Sequence, residues 1–121
     1  MPIGVGREGK DLLPKRERIR REKDLKEVIK AKQFHFSSPL LYFVARLSQR
    51  PSCRVAIVCR RNIKGSVVRN RLKRVLRAAY LKIKHKIKKN IDLVIFPRVL
   101  EIEFSEACEV LSLGLKQCGL F

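Results

Sequence analysis

Between Val28 and Ile91 the sequence holds no aspartate or glutamate, although the same stretch carries 18 lysines and arginines. The 11 bases outside it meet 11 acids, so the net charge of +18 lies wholly on the middle of the chain. That placement argues for a built cationic surface rather than a basic tail, with nucleic acid as the default partner. Metal-ligand spacing is also missing. The cysteines Cys53, Cys59, Cys108 and Cys118 form no Cys-x-x-Cys pair, and neither His35 nor His85 stands at zinc spacing from them. Both histidines lie among bases with no acidic neighbour, so neither reads as a poised general base, and no nucleophile–base pair accompanies them. No apolar run approaches the length of a membrane span, the N-terminus lacks the apolar segment of a signal peptide, and no internal repeat is present. Free thiols with no secretory signal point to the cytoplasm.

What is present fits one domain of 121 residues with 45% apolar content. Residues 1–14, with three glycines and two prolines, read as a mobile lead-in, and residues 15–121 as a single nucleic-acid-binding domain. The basic run 15–23 reads either as a solvated patch or as a phosphate contact. Asp24 followed by Glu27 resembles a capping box, and Leu25, Val28 and Ile29 give the helix behind it one apolar face, ending near Lys32. Residues 33–38 are a short strand or an extended lead-in. Residues 40–47 and 53–59 read as strands paired in an antiparallel hairpin across the turn 48–52. Ile91 to Phe96 is nearly all apolar, as expected of a strand covered on both faces and closed by Pro97. Ser105 opens a last helix with Ala107, Val110, Leu111, Leu115 and Cys118 inward, and Gly119 ends it. Cys59 and Cys108, in apolar runs, read as small buried hydrophobes. The fold class is α+β, a sandwich of sheet and helices in the order α-β-β-β-α-β-α.

The chain is organised around the stretch from Ser66 to Tyr80. At 100° per residue Val68, Leu72, Val75, Leu76, Ala79 and Ile83 fall on one side, and Asn70, Lys73, Arg74 and Arg77 on the other, with Arg69 and Arg71 on the flanks. Ser66 is placed to cap the helix after the Lys64-Gly65 turn. The apolar stripe continues through Ile83 and Ile87, so the helix can extend to Lys89, although Leu81 on the polar face hints at an earlier end. Cations crowded at a helix N-terminus oppose the macrodipole at about 0.3–1 kcal/mol each and repel one another at i,i+3 and i,i+4. A docked polyanion removes that conflict, because its phosphates meet both the side chains and the free N–H groups of the first turn. Arg69, Arg71, Arg74 and Arg77 offer planar forks for phosphate oxygens and Lys73 a point charge. Asn70 suits either a base or ribose edge or a capping role.

Arg69-Asn70-Arg71-Leu72-Lys73-Arg74 resembles the Arg-Asn-Arg signature of the bacterial ribonuclease P protein component. The segment Arg60-Arg61-Asn62-Ile63 is similar to that family's basic strand end and loop. Ile91-Asp92-Leu93-Val94-Ile95-Phe96 is similar to its Asp-containing central strand, and Lys23-Asp24-Leu25-Lys26-Glu27-Val28 to its first helix. The likeness runs over residues 12–121 in order. It implies a small basic subunit that binds the catalytic ribonuclease P RNA through Arg69, Asn70, Arg71, Lys73, Arg74 and Arg77. It also implies that the subunit helps remove the 5′ leader of precursor tRNA while the RNA, with bound Mg2+, performs the hydrolysis, so that the protein carries no catalytic residue. A mixed sheet with a left-handed crossover around the motif helix is implied as well, against the usual hand of such connections.

The resemblance places the leader in a cleft between the sheet and the first helix. An open face with cations and aromatics suits a single strand, and the candidates are Arg60, Arg61, Phe34, Phe36, Tyr42, Leu25 and Ile29. For any one of Phe34, Phe36, Tyr42 and Phe43, a place in the core is the stronger reading. Tyr42 and Phe43 cannot share a face. Leu25 and Ile29 stand where the family usually has two phenylalanines, and Ala78 where it commonly has an acid. A structural RNA-binding protein of ribosomal type fits charge and fold class equally and lacks only the signature. A DNA-binding basic helix is disfavoured because no leucine heptad follows, and a membrane-surface helix because the apolar stripe is needed to cover the sheet.

Overall fold

The computed structural model describes residues 17–121, so the expected lead-in 1–14 and the first two residues of the basic run lie outside the described part. Eight segments follow: helix α1 (Glu22–Lys30), strands β1 (Phe34–Ser37), β2 (Leu41–Leu47) and β3 (Arg54–Ile57), helix α2 (Ser66–Ile83), a 3-10 turn (Lys84–Lys86), strand β4 (Ile91–Pro97) and helix α3 (Phe104–Gln117). The class is α+β, with three helices on a four-stranded mixed sheet.

The sheet order is β1-β2-β4-β3. β1 and β2 are antiparallel, β2 and β4 are antiparallel, and β3 runs parallel to β4. The expected β2–β3 hairpin is therefore wrong in adjacency, though right in direction: β4 inserts between them. The cause lies in β4. All seven of its residues are buried, so it needs a neighbour on each edge. Its one charged residue, Asp92, sits in register with Arg46 of β2 on one side and Arg54 of β3 on the other. A buried carboxylate between two guanidinium groups is stable only when both strands flank it.

Alternation divides the sheet. On one face Leu41, Phe43, Ala45, Val55, Ile57, Ile91, Leu93 and Ile95 pack against α2 and α3 through Leu72, Leu76, Tyr80, Leu111 and Leu115. On the other, Val44, Val94 and Phe96 pack against Ile19 and Val28, with Leu25 and Ile29 of α1 alongside. The α3 layer approaches closely because residue 114 is glycine: a Cβ there would stand 2.5 Å from Phe43 Cε2 and 2.6 Å from Phe36 Cδ2.

Helix limits differ from the sequence expectation for identifiable reasons. α1 begins at Glu22 and is capped by Arg21 with no side-chain cap bond. Asp24 lies in its first turn and turns to Arg54 Nη1, 3.6 Å away. Gly65, at φ 93°, caps α2, and Ser66 is its first residue; that positive φ is the conformation glycine tolerates. α2 stops at Ile83 rather than Lys89, because the Lys88 N–H donates to Leu120 O at 2.8 Å instead of continuing a helix. α3 starts one residue early at Phe104, with Glu103 and Glu106 forming a reciprocal capping box. It ends in a Schellman turn: Leu120 N–H donates to Leu115 O at 2.9 Å around Gly119 at φ 76°. Cys59 and Cys108 are half-buried against the core, and all four described cysteines are free thiols. Burial pushes the Cys59, Cys108 and Cys118 thiols up.

Candidate nucleic-acid interface

α2 is held by its apolar side. Leu72, Leu76, Ala79, Tyr80 and Ile83 are buried, so the remaining side chains are fixed in direction. The six polar residues of the motif do not form one surface. Asn70, Arg71 and Arg74 are exposed, whereas Arg69, Lys73 and Arg77 are half-buried, Lys73 and Arg77 on the flank beside Arg18, Ile19 and Arg20. Among the described residues the exposed three meet one carboxylate, Glu101 Oε1, 3.8 Å from Arg71 Nη1, with both side chains more than half in solvent. Such a pair contributes little and opens readily to a phosphate.

Arg69 has a structural task that spacing does not reveal. Its Nε–H donates to Ile63 O at 2.7 Å, which ties the start of α2 to the loop 60–65, and Ile63 itself is fully buried. Lys73 and Arg77 line a cationic groove with Arg18, Ile19, Arg20, Leu25 and residues 55–58. Its outer wall is formed where Ile19 N–H donates to Val55 O at 3.0 Å, next to a parallel bridge between Arg18 and Val55. Burial, and then the positive charge of Arg18, hold the Arg77 guanidinium below its ordinary value. Lys73 and Arg69 face Cys59 and partly offset the upward push of burial on that thiol. An anion entering the groove relieves the repulsion between Arg77 and Arg18.

The leader candidates split between the two sides of the sheet. Phe34 and Phe36 pack into the α3-side core, Phe36 with its ring 5.5 Å from that of Phe43. As cleft residues they are corrected: β1 pairs Phe34 with Ala45 and Phe36 with Phe43, which puts their side chains on the core face. Tyr42, Leu25 and Ile29 share the α1 side. Tyr42 stacks on Phe96, centroids 4.6 Å apart and planes 10° from parallel. Arg60 reaches across both rings, 4.7 Å from the Phe96 centroid and 5.7 Å from that of Tyr42, and donates Nε–H to the Tyr42 hydroxyl at 2.6 Å. Arg98 stands 4.8 Å from the Tyr42 ring. Arg61 is exposed beside Arg60. Cation–aromatic contacts of this kind contribute about 0.5–2 kcal/mol and hold guanidinium planes where a base can stack.

Phe96, Arg98 and Arg18 belong to these surfaces and were not singled out from the sequence. Counting every second residue, Asp92, Val94 and Phe96 of β4 and Arg98 just past its end fall on one side, and that count finds Phe96 and Arg98 once the β2–β4 register is known.

Beneath α1, charges of both signs form a network. Arg54 donates from Nε to Asp92 Oδ1 at 2.9 Å and from Nη2 to Oδ2 at 3.0 Å, and Arg46 Nε reaches Oδ2 at 3.3 Å. Arg46 Nη1 also meets Glu27 Oε1 at 3.4 Å. This network anchors α1 to the sheet. Burial alone would raise the Asp92 carboxyl; hydrogen bonds and charge from Arg54, then Arg46, outweigh it and hold the group below its ordinary value. The hydrogen bond to Asp92 raises Arg54 against the opposing effect of burial. Among the described residues no group of three or more His, Cys, Asp or Glu is placed to hold a metal ion, and no helix is long and apolar enough to cross a membrane.

Comparison with known proteins bears on the family and the fold. The family model described as Ribonuclease P matches residues 13–119. A ribonuclease P protein component of Enterococcus faecalis is 30% identical over 81 residues, covering 67% of this chain and 69% of that protein. Among solved structures, the RNase P protein from Thermotoga maritima superposes with a TM-score of 0.73 at 26% identity, over 84% of this chain and 96% of that one. A mutant Staphylococcus aureus RNase P protein shares the fold, with a TM-score of 0.76 at 19% identity over 88% and 92% of the two chains.

Proposed function

The chain belongs to the ribonuclease P protein family, and on that footing we propose that α2 docks on the catalytic RNA of ribonuclease P while the α1-side cleft holds the 5′ leader of precursor tRNA. It is the protein subunit of that ribonucleoprotein, and its partner is RNA. In this reading the RNA cuts the leader from the mature 5′ end in the cytoplasm. In the same reading magnesium is bound by the RNA, where it would supply charge stabilisation for that hydrolysis. The protein's share is positional. Asn70, Arg71 and Arg74 face solvent on a helix whose opposite side is locked into the core, so their direction is set before RNA arrives.

The observation that carries the reading is the exposure of those three side chains with one weak carboxylate contact among the described residues. Lys73 and Arg77 extend the contact into the groove. Arg60 and Tyr42, with Leu25 and Ile29 on the facing helix, form the leader side. The test is cleavage of precursor tRNA by the catalytic RNA at low magnesium, with and without the protein. Stimulation that is lost in Arg71→Ala/Arg74→Ala supports the reading. Equal cleavage with and without protein contradicts it and favours a purely structural RNA-binding role.

A further inference from the structure

The cationic surface of α2 does not end with the motif. Going along the helix from Arg71 and Arg74, the exposed positions are Ala78 and Lys82, and then His85 and Lys86 in the 3-10 turn. Successive members are three or four residues apart as far as Lys82, which keeps them on one ridge. Residue 78 is alanine, so no carboxylate interrupts the ridge. Beyond the turn, Lys88 and Lys89 are exposed as well. Lys84, the one described lysine of this end with an ion pair, is neutralised by Glu17 at 2.6 Å; Lys82, Lys86, Lys88 and Lys89 have no carboxylate within ion-pair range among the described residues.

This end of the helix also has shape. Lys82, His85 and Lys86 line one wall of a groove whose other wall is α3, with Ile83, Val110 and Leu113 between them. Leu113 is half exposed there. The one acid on the rim is Glu109. The wall is rigid, since Lys88 is bonded to Leu120 and the chain end is fastened to α3. At 1.5 Å per residue, Lys82 stands about 16 Å along the axis from Arg71.

We propose that this ridge and groove are a second contact for the backbone of the catalytic RNA, continuous with the motif surface on the same helix. The proposal rests on the reading of α2 as the docking helix. Charge complementarity selects the occupant. Lys82 and Lys86, without carboxylate partners among the described residues, stand on a fixed frame next to the motif, and a folded polyanion seated on Arg71 and Arg74 meets them farther along the helix. An acidic protein segment would match the charge but would have no reason to be continuous with the motif.

The experiment measures affinity of the full-length protein for the catalytic RNA as a function of salt, in wild type, Lys82→Ala/Lys86→Ala, Arg71→Ala/Arg74→Ala and Glu109→Gln. The lysine pair is expected to lower the salt slope by about two and the affinity about tenfold. Glu109→Gln is expected to tighten binding about twofold, a gain that no folding defect can mimic. An unchanged slope in the lysine variant, with the arginine variant weakened, overturns the second contact and leaves the docking helix standing. Unchanged binding in both variants overturns the docking helix itself. A lysine variant that binds catalytic RNA normally, but whose holoenzyme loses affinity for mature and precursor tRNA alike, assigns the surface to the substrate and contradicts the proposal.

Discussion

Arg54 and Asp92 hold each other by two parallel hydrogen bonds, 2.9 and 3.0 Å long, across neighbouring parallel strands, with both side chains almost wholly out of solvent. The pair decides where β3 lies. Removing one partner leaves an uncompensated buried charge, at about 3–5 kcal/mol. Asp92→Asn is therefore expected to lower stability by that order in chemical denaturation. A loss below about 1 kcal/mol would show that the strand order does not depend on the pair.

The same carboxylate sets a pH dependence. Its folded value lies below the unfolded one, so near the carboxylate range the unfolded chain binds the extra proton, and stability rises with pH there. The contribution is complete above the unfolded pKa and is lost as pH falls through the folded one. Denaturation curves below about pH 4 should show a steeper fall for the wild type than for Asp92→Asn. Parallel curves would remove Asp92 as the cause.

Gly114 gives a second structural test. A methyl group there has no room between Phe36 and Phe43, so Gly114→Ala should destabilise by about 1–3 kcal/mol despite the better helix propensity of alanine. Thermal unfolding would read it. A stabilised variant would mean that α3 sits farther from the sheet.

Arg69 and Arg71 should separate. The Arg69 guanidinium bonded to Ile63 O serves the fold, and a hydrogen bond from a charged donor contributes about 1.5–3 kcal/mol. Arg69→Ala should lower the melting temperature by several degrees, whereas Arg71→Ala should leave it within about a degree. Equal melting of the two would show that the bond to the loop contributes nothing.

In the proposed leader cleft, Tyr42→Ala removes the ring that Arg60 and Arg98 contact. The reconstituted enzyme should then bind precursor tRNA several-fold more weakly while binding mature tRNA unchanged, in line with about 1–3 kcal/mol for a stacked base. Phe36→Leu, on the core side, should leave the precursor preference intact. The reverse pattern would place the leader elsewhere.

The sequence carried the α2 apolar stripe, the buried β4, the acid-free middle of the chain and the cationic motif. Each is a local periodicity or a composition contrast. It did not carry the neighbour of β3, because adjacency depends on Asp92 finding Arg46 and Arg54, residues 46 and 38 positions away. The division of the aromatics followed the same missing register: Phe34 and Phe36 have the same composition cues as Tyr42, and pairing alone sends them to opposite faces. Arg69 looked like its neighbours because its partner is a backbone carbonyl, which has no signature in side-chain pattern.

The most direct test of the central claim is the affinity of Arg71→Ala/Arg74→Ala for the catalytic RNA, taken together with its melting temperature. The account predicts at least tenfold weaker binding, with a salt slope smaller by about two, at a melting temperature within about a degree of wild type. Undiminished affinity with an unchanged slope would contradict it, as would a cooperative loss of folding.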